Sequence, residues 1–161
     1  MPRWSWAAAQ AAAAHDWNDA NIAWKGFDEG LALAQKEKRP DCLIVYTEWC
    51  PHCQQYAKVF HDPAVVEKAK RLVMVHVDQD KDKSLAQKYV PDGSYIPRTM
   101  FLAPDGTLAT DVHAPRTQYV YFFDEKDPAA VLGGMDAALA KIAAPSKPSS
   151  PPTSGPGDKK P

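Results

Sequence analysis

The stretch Trp49-Cys50-Pro51-His52-Cys53 decides how this sequence is interpreted, because it places two cysteines only two residues apart. It follows the apolar run Leu43–Tyr46, which is too short for a helix and is bounded by turn residues. We therefore predict a buried strand that delivers the cysteines to the start of a helix, at the edge of an open α/β sheet where reactive groups lie. Such a pair can close into a disulfide or remain a dithiol, so the motif predicts a redox centre.

The spacing gives the two sulfurs different surroundings. Cys50 is expected near the unpaired N–H groups and the positive dipole end of the helix, whereas Cys53 lies one turn further in. Cysteines at helix N-termini have pKa values of roughly 3.5–7.5 in place of about 8.5, and a cationic or hydrogen-bonding neighbour such as His52 adds to the effect. Pro51 suits the first helical position, where its missing N–H would be unpaired anyway. Cys50 is therefore the predicted reactive thiolate, and it is expected to be exposed.

A zinc site and a purely structural disulfide are the other interpretations of this motif. Cys50, His52 and Cys53 have ligand chemistry, but a closed zinc site needs four ligands, and no second CxxC pair or His-x₃₋₅-His follows. A static disulfide that closes so short a loop would remove little entropy from the denatured state. Redox chemistry is favoured, and it requires no metal and no organic cofactor.

Length and composition indicate one globular domain. The chain has 161 residues, 45% of them hydrophobic, and a net charge of −1, which argues against nucleic acid or an anionic membrane as the main partner. No run approaches the roughly 18 apolar residues of a membrane span, and a monomer is expected. Three cysteines are too few for a disulfide-stapled scaffold, so the third, Cys42, is predicted to be a buried free thiol.

Hydrophobic periodicity predicts an α/β domain over residues 21–142, with a central mixed sheet of four to five strands flanked by helices. Residues 1–20 are expected to form a helical or disordered lead that is too weakly apolar for a clear signal peptide. Residues 143–161 hold six of the fifteen prolines and are predicted to be disordered. The predicted elements are strands Ile22–Trp24, Leu43–Tyr46, Leu72–Asp78, Thr99–Leu102 and one from Thr107, and helices Phe27–Lys38, Cys50–Phe60, Ala64–Lys70, Lys83–Tyr89 and Pro128–Ile142.

This order of elements resembles the thioredoxin fold, as do the local sequences Glu48-Trp49-Cys50 and Val77-Asp78. A narrower resemblance, over roughly residues 22–142, is to the small thioredoxin-domain proteins of the endoplasmic reticulum that are related to the anterior gradient proteins. It rests on the segments Pro91–Arg98 and Met100–Pro104 and on the aromatic connection that follows them. The resemblance implies that Cys50 is the nucleophile, Cys53 the resolving thiol and Pro97 a cis-proline facing them. Trp49 and Ile96 join Pro97 as the candidate substrate contacts.

Three departures from the resemblance concern the active site and the location of the protein. Thioredoxin keeps a buried aspartate six residues before its first cysteine, where this chain has Ile44, and the nearest carboxylate in sequence is Glu48. The dipeptide between the cysteines is Pro-His, as in the bacterial oxidant DsbA, and not Gly-Pro. The chain ends in Lys-Lys-Pro without a retention signal of the Lys-Asp-Glu-Leu type. A bacterial relative in a periplasmic or secreted location is therefore favoured.

The predicted function is thiol–disulfide exchange with protein substrates through Cys50 and Cys53, with a redox partner protein or glutathione restoring the dithiol or disulfide. Oxidase, reductase and isomerase directions stay open. One alternative is a client-binding or chaperone-like module that pairs with peptides along the Ile96 backbone, its thiols being incidental. Another is a thiol peroxidase or redox sensor that uses Cys42, which the strand location of Cys42 disfavours.

Overall fold

The centre of the structure, among the residues that it describes, is a sheet of three strands with the first strand in the middle. We describe it from a computed structural model, which covers residues 16–143. Strand β1 (Asp41–Tyr46) pairs in parallel with β2 (Val73–Asp78) and antiparallel with β3 (Arg98–Leu102). The mixed sheet and the α/β class agree with the prediction from sequence. Strand β1 begins two residues earlier than predicted and includes Asp41.

Within residues 16–143, five α-helices accompany the sheet, and several begin where the sequence predicts. They are α1 (Phe27–Glu37), α2 (Pro51–Ala57), α3 (Pro63–Ala69), α4 (Lys83–Lys88) and α5 (Pro128–Ala138). Asp62 caps α3 by accepting a hydrogen bond from the backbone N–H of Ala64 at 2.8 Å, and a proline follows it at the first helical position. A 3₁₀ turn (Lys58–His61) continues α2, and a π-helical turn (Leu139–Ala143) continues α5.

The prediction of four to five strands is wrong in number, because the described residues form three. The two missing strands are each reduced to a single bridge, Lys25 with Val75 and Leu102 with Leu108. In place of the predicted strand Ile22–Trp24, the chain turns before Lys25: Ile22 donates its N–H to the carbonyl of Asn18, and Trp24 donates to that of Ile22. After Leu108 the chain turns back on itself, and Val112 donates its N–H to the carbonyl of Ala109.

The two faces of the sheet carry separate hydrophobic clusters, as the alternation of side chains along a strand requires. Ile44 and Phe101 face a cluster built with α2, α3 and α5. Leu43 and Met100 face the opposite cluster, which includes residues of α1 and α4. Helices thus pack on both faces of the sheet, and β1 runs into the cysteine motif at its carboxyl-terminal end.

The predicted lead and tail fall largely on residues 1–15 and 144–161, which lie outside the described residues. Within the described part, Trp17 is buried in the core and its ring packs edge-on against that of Trp24, 5.9 Å away. His76 is enclosed by the same aromatic cluster, where burial lowers its pKa. None of the helices in residues 16–143 is long and apolar enough to cross a membrane.

Helix α1 approaches the sheet closely at Gly30. A Cβ atom at this position would lie 2.4 Å from Cγ2 of Val75, so one of the two elements would have to move. We expect Gly30→Ala to destabilise the fold by about 1–3 kcal/mol, because overpacking outweighs the gain in helix propensity. Urea unfolding measures the change in free energy.

Gly133 in α5 offers the matched control, since a Cβ there meets no atom within 4 Å. Gly133→Ala should stabilise the protein by roughly 0.5–1 kcal/mol through helix propensity alone. Equal effects of the two substitutions would contradict the close approach of α1 to β2.

Candidate active site

The cysteine motif lies at the start of α2, as the sequence predicts. Cys50 is the N-cap residue, and its Sγ accepts a hydrogen bond from the backbone N–H of Cys53 at 3.1 Å. Pro51 occupies the first helical position, and both cysteines are free thiols. The sulfur of Cys50 thus accepts a hydrogen bond from one of the N–H groups that have no partner within the helix at its first turn.

Both thiols are more buried than the sequence suggests. Cys50 is 3% exposed and Cys53 is 1% exposed, so the expectation of an exposed Cys50 is wrong. Its Sγ accepts the N–H of Cys53 at the first turn of α2, and the residue packs in the hydrophobic cluster that α2, α3 and α5 form with the sheet. Burial raises the pKa of Cys53, and the hydrogen bond with Cys50 and the charge of Glu125 act in the same direction.

His52 contacts a residue that sequence reasoning did not identify. Its Nδ1 lies 2.6 Å from Oε1 of Glu125, and its ring meets that of Phe122 edge-on at 5.8 Å. The histidine side chain is 64% exposed and the glutamate side chain 16%. Both partners come from the long aromatic connection between β3 and α5. A shallow cavity of about 520 Å³, lined in part by His52, Phe122 and Glu125, lies beside them.

Trp49 stands exposed next to the cysteines. It is 66% exposed, and its indole Nε1 donates a hydrogen bond to Asp80 at 2.7 Å. Asp80 follows β2 and is held in turn by its own backbone N–H, which donates to Asp78 at 2.9 Å. An apolar ring fixed in this way is suited to contact with a partner molecule.

The Ile96–Pro97 peptide bond is cis, as predicted. Pro97 immediately precedes β3, whose first residue, Arg98, pairs with Val45 near the end of β1. This register places Pro97 at the same edge of the sheet as the segment leading to Cys50. The three candidate substrate contacts, Trp49, Ile96 and Pro97, therefore belong to one edge.

Arg98 has a positioning role that its sequence context does not reveal. Its side chain is fully buried, and its guanidinium donates hydrogen bonds to four acceptors. Because these acceptors belong to α4 and the segments after α4 and β2, the arginine ties those segments to the start of β3. The acceptors are the carbonyl oxygens of Ala86, Tyr89 and Tyr95 and the side-chain oxygen of Gln79.

The remaining candidate residues lie away from the dithiol or point elsewhere. Cys42 is fully buried and free, as predicted, and burial together with the neighbouring Asp41 raises its pKa. Glu48 pairs with Lys81 at 3.6 Å. Among residues 16–143, no three His, Cys, Asp or Glu side chains are grouped so as to hold a metal ion.

Comparison with known proteins agrees with this geometry. The thioredoxin-like family model matches residues 23–104. The chain is 31% identical to the human anterior gradient protein 2 homolog over 125 residues, which is 76% of this chain and 69% of that protein. It is 32% identical to human anterior gradient protein 3 over 130 residues, covering 78% and 75% of the two chains.

Solved structures show the same fold. A thioredoxin from Thermus thermophilus superposes with a TM-score of 0.58 and 27% identity, over 79% of this chain and 94% of that one. The DsbH oxidoreductase superposes with a TM-score of 0.57 and 20% identity, over 75% and 86% of the two chains. Family model, relatives and fold point the same way, and the chain belongs to the thioredoxin-like family.

Proposed function

We propose that this chain is a protein thiol–disulfide oxidoreductase in which Cys50 and Cys53 form the redox centre. Membership of the thioredoxin-like family supports an oxidoreductase role of this type. The observation that carries the finer proposal is the hydrogen bond from the Cys53 N–H to Cys50 Sγ at 3.1 Å. It stabilises negative charge on one sulfur of a pair that is spaced for disulfide formation.

Two exchange steps follow from this arrangement. The Cys50 thiolate attacks a client disulfide, which forms a mixed disulfide at Cys50 and releases one client thiol. Cys53 then attacks Cys50, which closes the Cys50–Cys53 disulfide and releases the second client thiol. In the opposite direction a client dithiol reduces that disulfide and leaves oxidised. Two electrons move between client and protein in either case.

The edge that carries the cysteines also supplies the proposed client contacts. Trp49 offers an exposed apolar ring, and the backbone at Ile96 and Pro97 lies on the same edge. A client segment in extended conformation would pair with this backbone next to Cys50. The exposure of Trp49 also favours the second candidate function, a client-binding module whose thiols are incidental.

Equilibration with glutathione tests the proposal. Reduced protein is incubated at graded ratios of reduced to oxidised glutathione, and the Cys50–Cys53 disulfide is quantified by mass spectrometry after acid quenching. We expect one two-electron transition with a potential between about −270 and −120 mV, the range of dithiol oxidoreductases of this kind. Each 30 mV corresponds to about 1.4 kcal/mol, so the value also decides between the reductase and oxidase directions.

Cys42→Ala is the control for this titration, because the buried Cys42 is not expected to contribute. It should leave the transition unchanged. Failure of Cys50 and Cys53 to form a disulfide at any glutathione ratio would contradict the proposal and favour the client-binding module.

A further inference from the structure

Tyr119 combines an exposed ring with a backbone conformation that few aromatic residues adopt. Its φ angle is +51°, in the left-handed region, and the residue is 53% exposed. A residue with a Cβ atom enters this region at a cost in energy, which is why it is mostly left to glycine and asparagine. The nearby rings of Tyr121 and Phe123 are buried, so the core is filled without the Tyr119 ring.

Hydrogen bonds hold Tyr119 in this conformation. The N–H of Phe122 donates to the carbonyl of Tyr119 at 2.9 Å and closes a turn over residues 119–122, which we call the aromatic turn. The N–H of Val120 donates to the carboxylate of Asp92 at 2.9 Å, and Asp92 lies in the segment that leads to the cis-proline. Backbone strain that the surroundings impose in this way clusters at sites that bind ligands.

The aromatic turn bridges the two sides of the active site. At one end the ring of Tyr119 meets that of Tyr95 edge-on, with the centroids 5.0 Å apart, and Tyr95 directly precedes Ile96. At the other end the ring of Phe122 meets that of His52, which lies between the two cysteines, at 5.8 Å. The turn therefore links the cis-proline segment to the cysteine motif, and Tyr119 supplies its exposed ring.

We propose that Tyr119 determines client specificity by binding an aromatic side chain next to the client's reactive cysteine; this inference rests on the proposed function. A client joined to Cys50 would extend along the edge formed by Trp49 and the Ile96 backbone, which the aromatic turn continues. Aromatic rings favour edge-to-face pairs, such as the one that Tyr119 and Tyr95 form. Because the turn holds Tyr119 in place, little conformational entropy is lost when a client ring packs against it.

Charge offers no comparable basis for specificity at this place. The cavity beside His52 is lined by two acidic and two further basic side chains. One of the acidic residues, Glu125, pairs with His52 itself. Apolar groups supply the rest of the lining, among them Phe122 and Pro115. The aromatic turn and the cavity beside it thus favour an apolar ring over a charged group.

Exchange with two peptide disulfides tests the inference. Each is the symmetrical disulfide of a short peptide, and the two peptides differ only in the residue after cysteine, which is phenylalanine or serine. The reduced protein is mixed with each disulfide well below saturation, and the released peptide thiol is quantified after acid quenching. We expect the phenylalanine peptide to react about tenfold faster, a difference of about 1.4 kcal/mol, which is in line with the pairing of two aromatic rings.

Variants at position 119 remove the ring without opposing the left-handed backbone. Tyr119→Asn and Tyr119→Gly should each lower the preference for the phenylalanine peptide to about threefold or less. Tyr119→Phe keeps the ring and should keep the preference. Bis(2-hydroxyethyl) disulfide carries no ring, so its rate should be the same in every variant. Urea unfolding checks that each variant is folded.

Lys38→Asn is the matched control for these variants. Lys38 is also exposed and left-handed, with a φ of +58°, but it lies at the end of α1. The substitution changes the same type of backbone position away from the aromatic turn. It should therefore leave the preference for the phenylalanine peptide and the rate with bis(2-hydroxyethyl) disulfide at their wild-type values.

The outcomes separate the specificity contact from the proposed function. Equal rates of the wild-type protein with both peptides would overturn the inference alone, as would a full preference in the two ring-free variants. Ring-free variants that react equally slowly with bis(2-hydroxyethyl) disulfide would also overturn it, because the ring would then support the redox centre. A wild-type dimer that Tyr119→Asn dissociates, measured by sedimentation, would assign the ring to self-association and overturn it too. Absence of exchange with all three disulfides in the wild-type protein would overturn the proposed function as well.

Discussion

Cys50→Ser should abolish disulfide exchange, whereas Cys53→Ser should leave the protein trapped as mixed disulfides with its clients. A serine hydroxyl at position 50 is not ionised near neutral pH and cannot attack a disulfide, so we expect a loss on the order of a thousandfold or more. Without Cys53 the first step still occurs, but the intramolecular attack that releases the client does not. Insulin reduction measures the activity, and non-reducing gels with mass spectrometry identify the trapped adducts at Cys50.

Cys42→Ser serves as the control for both variants and should retain normal activity, because Cys42 lies buried within β1. If Cys50→Ser kept more than about a tenth of the wild-type rate, Cys50 would not be the nucleophile. The same variants separate the two candidate functions. A client-binding module would keep its full effect on clients in Cys50→Ser, whereas an oxidoreductase would lose it.

The second large effect concerns stability and comes from Asp41. This residue begins β1, is fully buried, and its two carboxylate oxygens accept no hydrogen bond from the described residues. Burial raises its pKa from 3.8 to about 7. Above that pH the folded protein must hold an unpaired buried charge, which is unfavourable.

The sign of the pH dependence follows from proton binding. Between pH 3.8 and about 7 the folded state holds the Asp41 proton more tightly than the unfolded state does, so stability falls as the pH rises through this window. The loss reaches about 4 kcal/mol above the folded-state pKa, taking 1.36 kcal/mol for each unit. Asp41→Asn removes this loss of stability, because an amide does not ionise, and it keeps the shape of the side chain.

We therefore expect Asp41→Asn to be about 2–4 kcal/mol more stable than the wild type near pH 8 and to differ little near pH 4. Urea unfolding across this range checks the prediction. Asp28→Asn, at an exposed position in the first turn of α1, provides the control and should change stability by less than about 1 kcal/mol at either pH. Parallel stability curves for wild type and Asp41→Asn would show that the carboxylate does not titrate in this window.

Features that depend on short-range chemistry could be read from the sequence. The apolar run of β1, the proline after Cys50 and the Asp62 cap specify local structure within a few residues. The parallel pairing of β1 and β2 follows from the helices between them, and the hydrophobic periodicity of α5 follows from its own residues. These features sufficed to identify the two cysteines and the α/β class, because each is encoded by neighbours along the chain. The cis state of Pro97 was expected from the family resemblance and from its place just before a strand.

The surroundings of the dithiol were decided only by the tertiary structure. Glu125 is 73 positions from His52, and Asp80 is 31 positions from Trp49. No local pattern links either pair, because the contacts form only after the aromatic connection and the end of β2 are brought to one edge of the sheet. The burial of Cys50 and of Asp41 was likewise decided by the tertiary structure, since the exposure of a residue depends on which distant segments pack against it. The sequence by itself determined which groups can carry the redox chemistry, and the packing of distant segments determined which charges surround them.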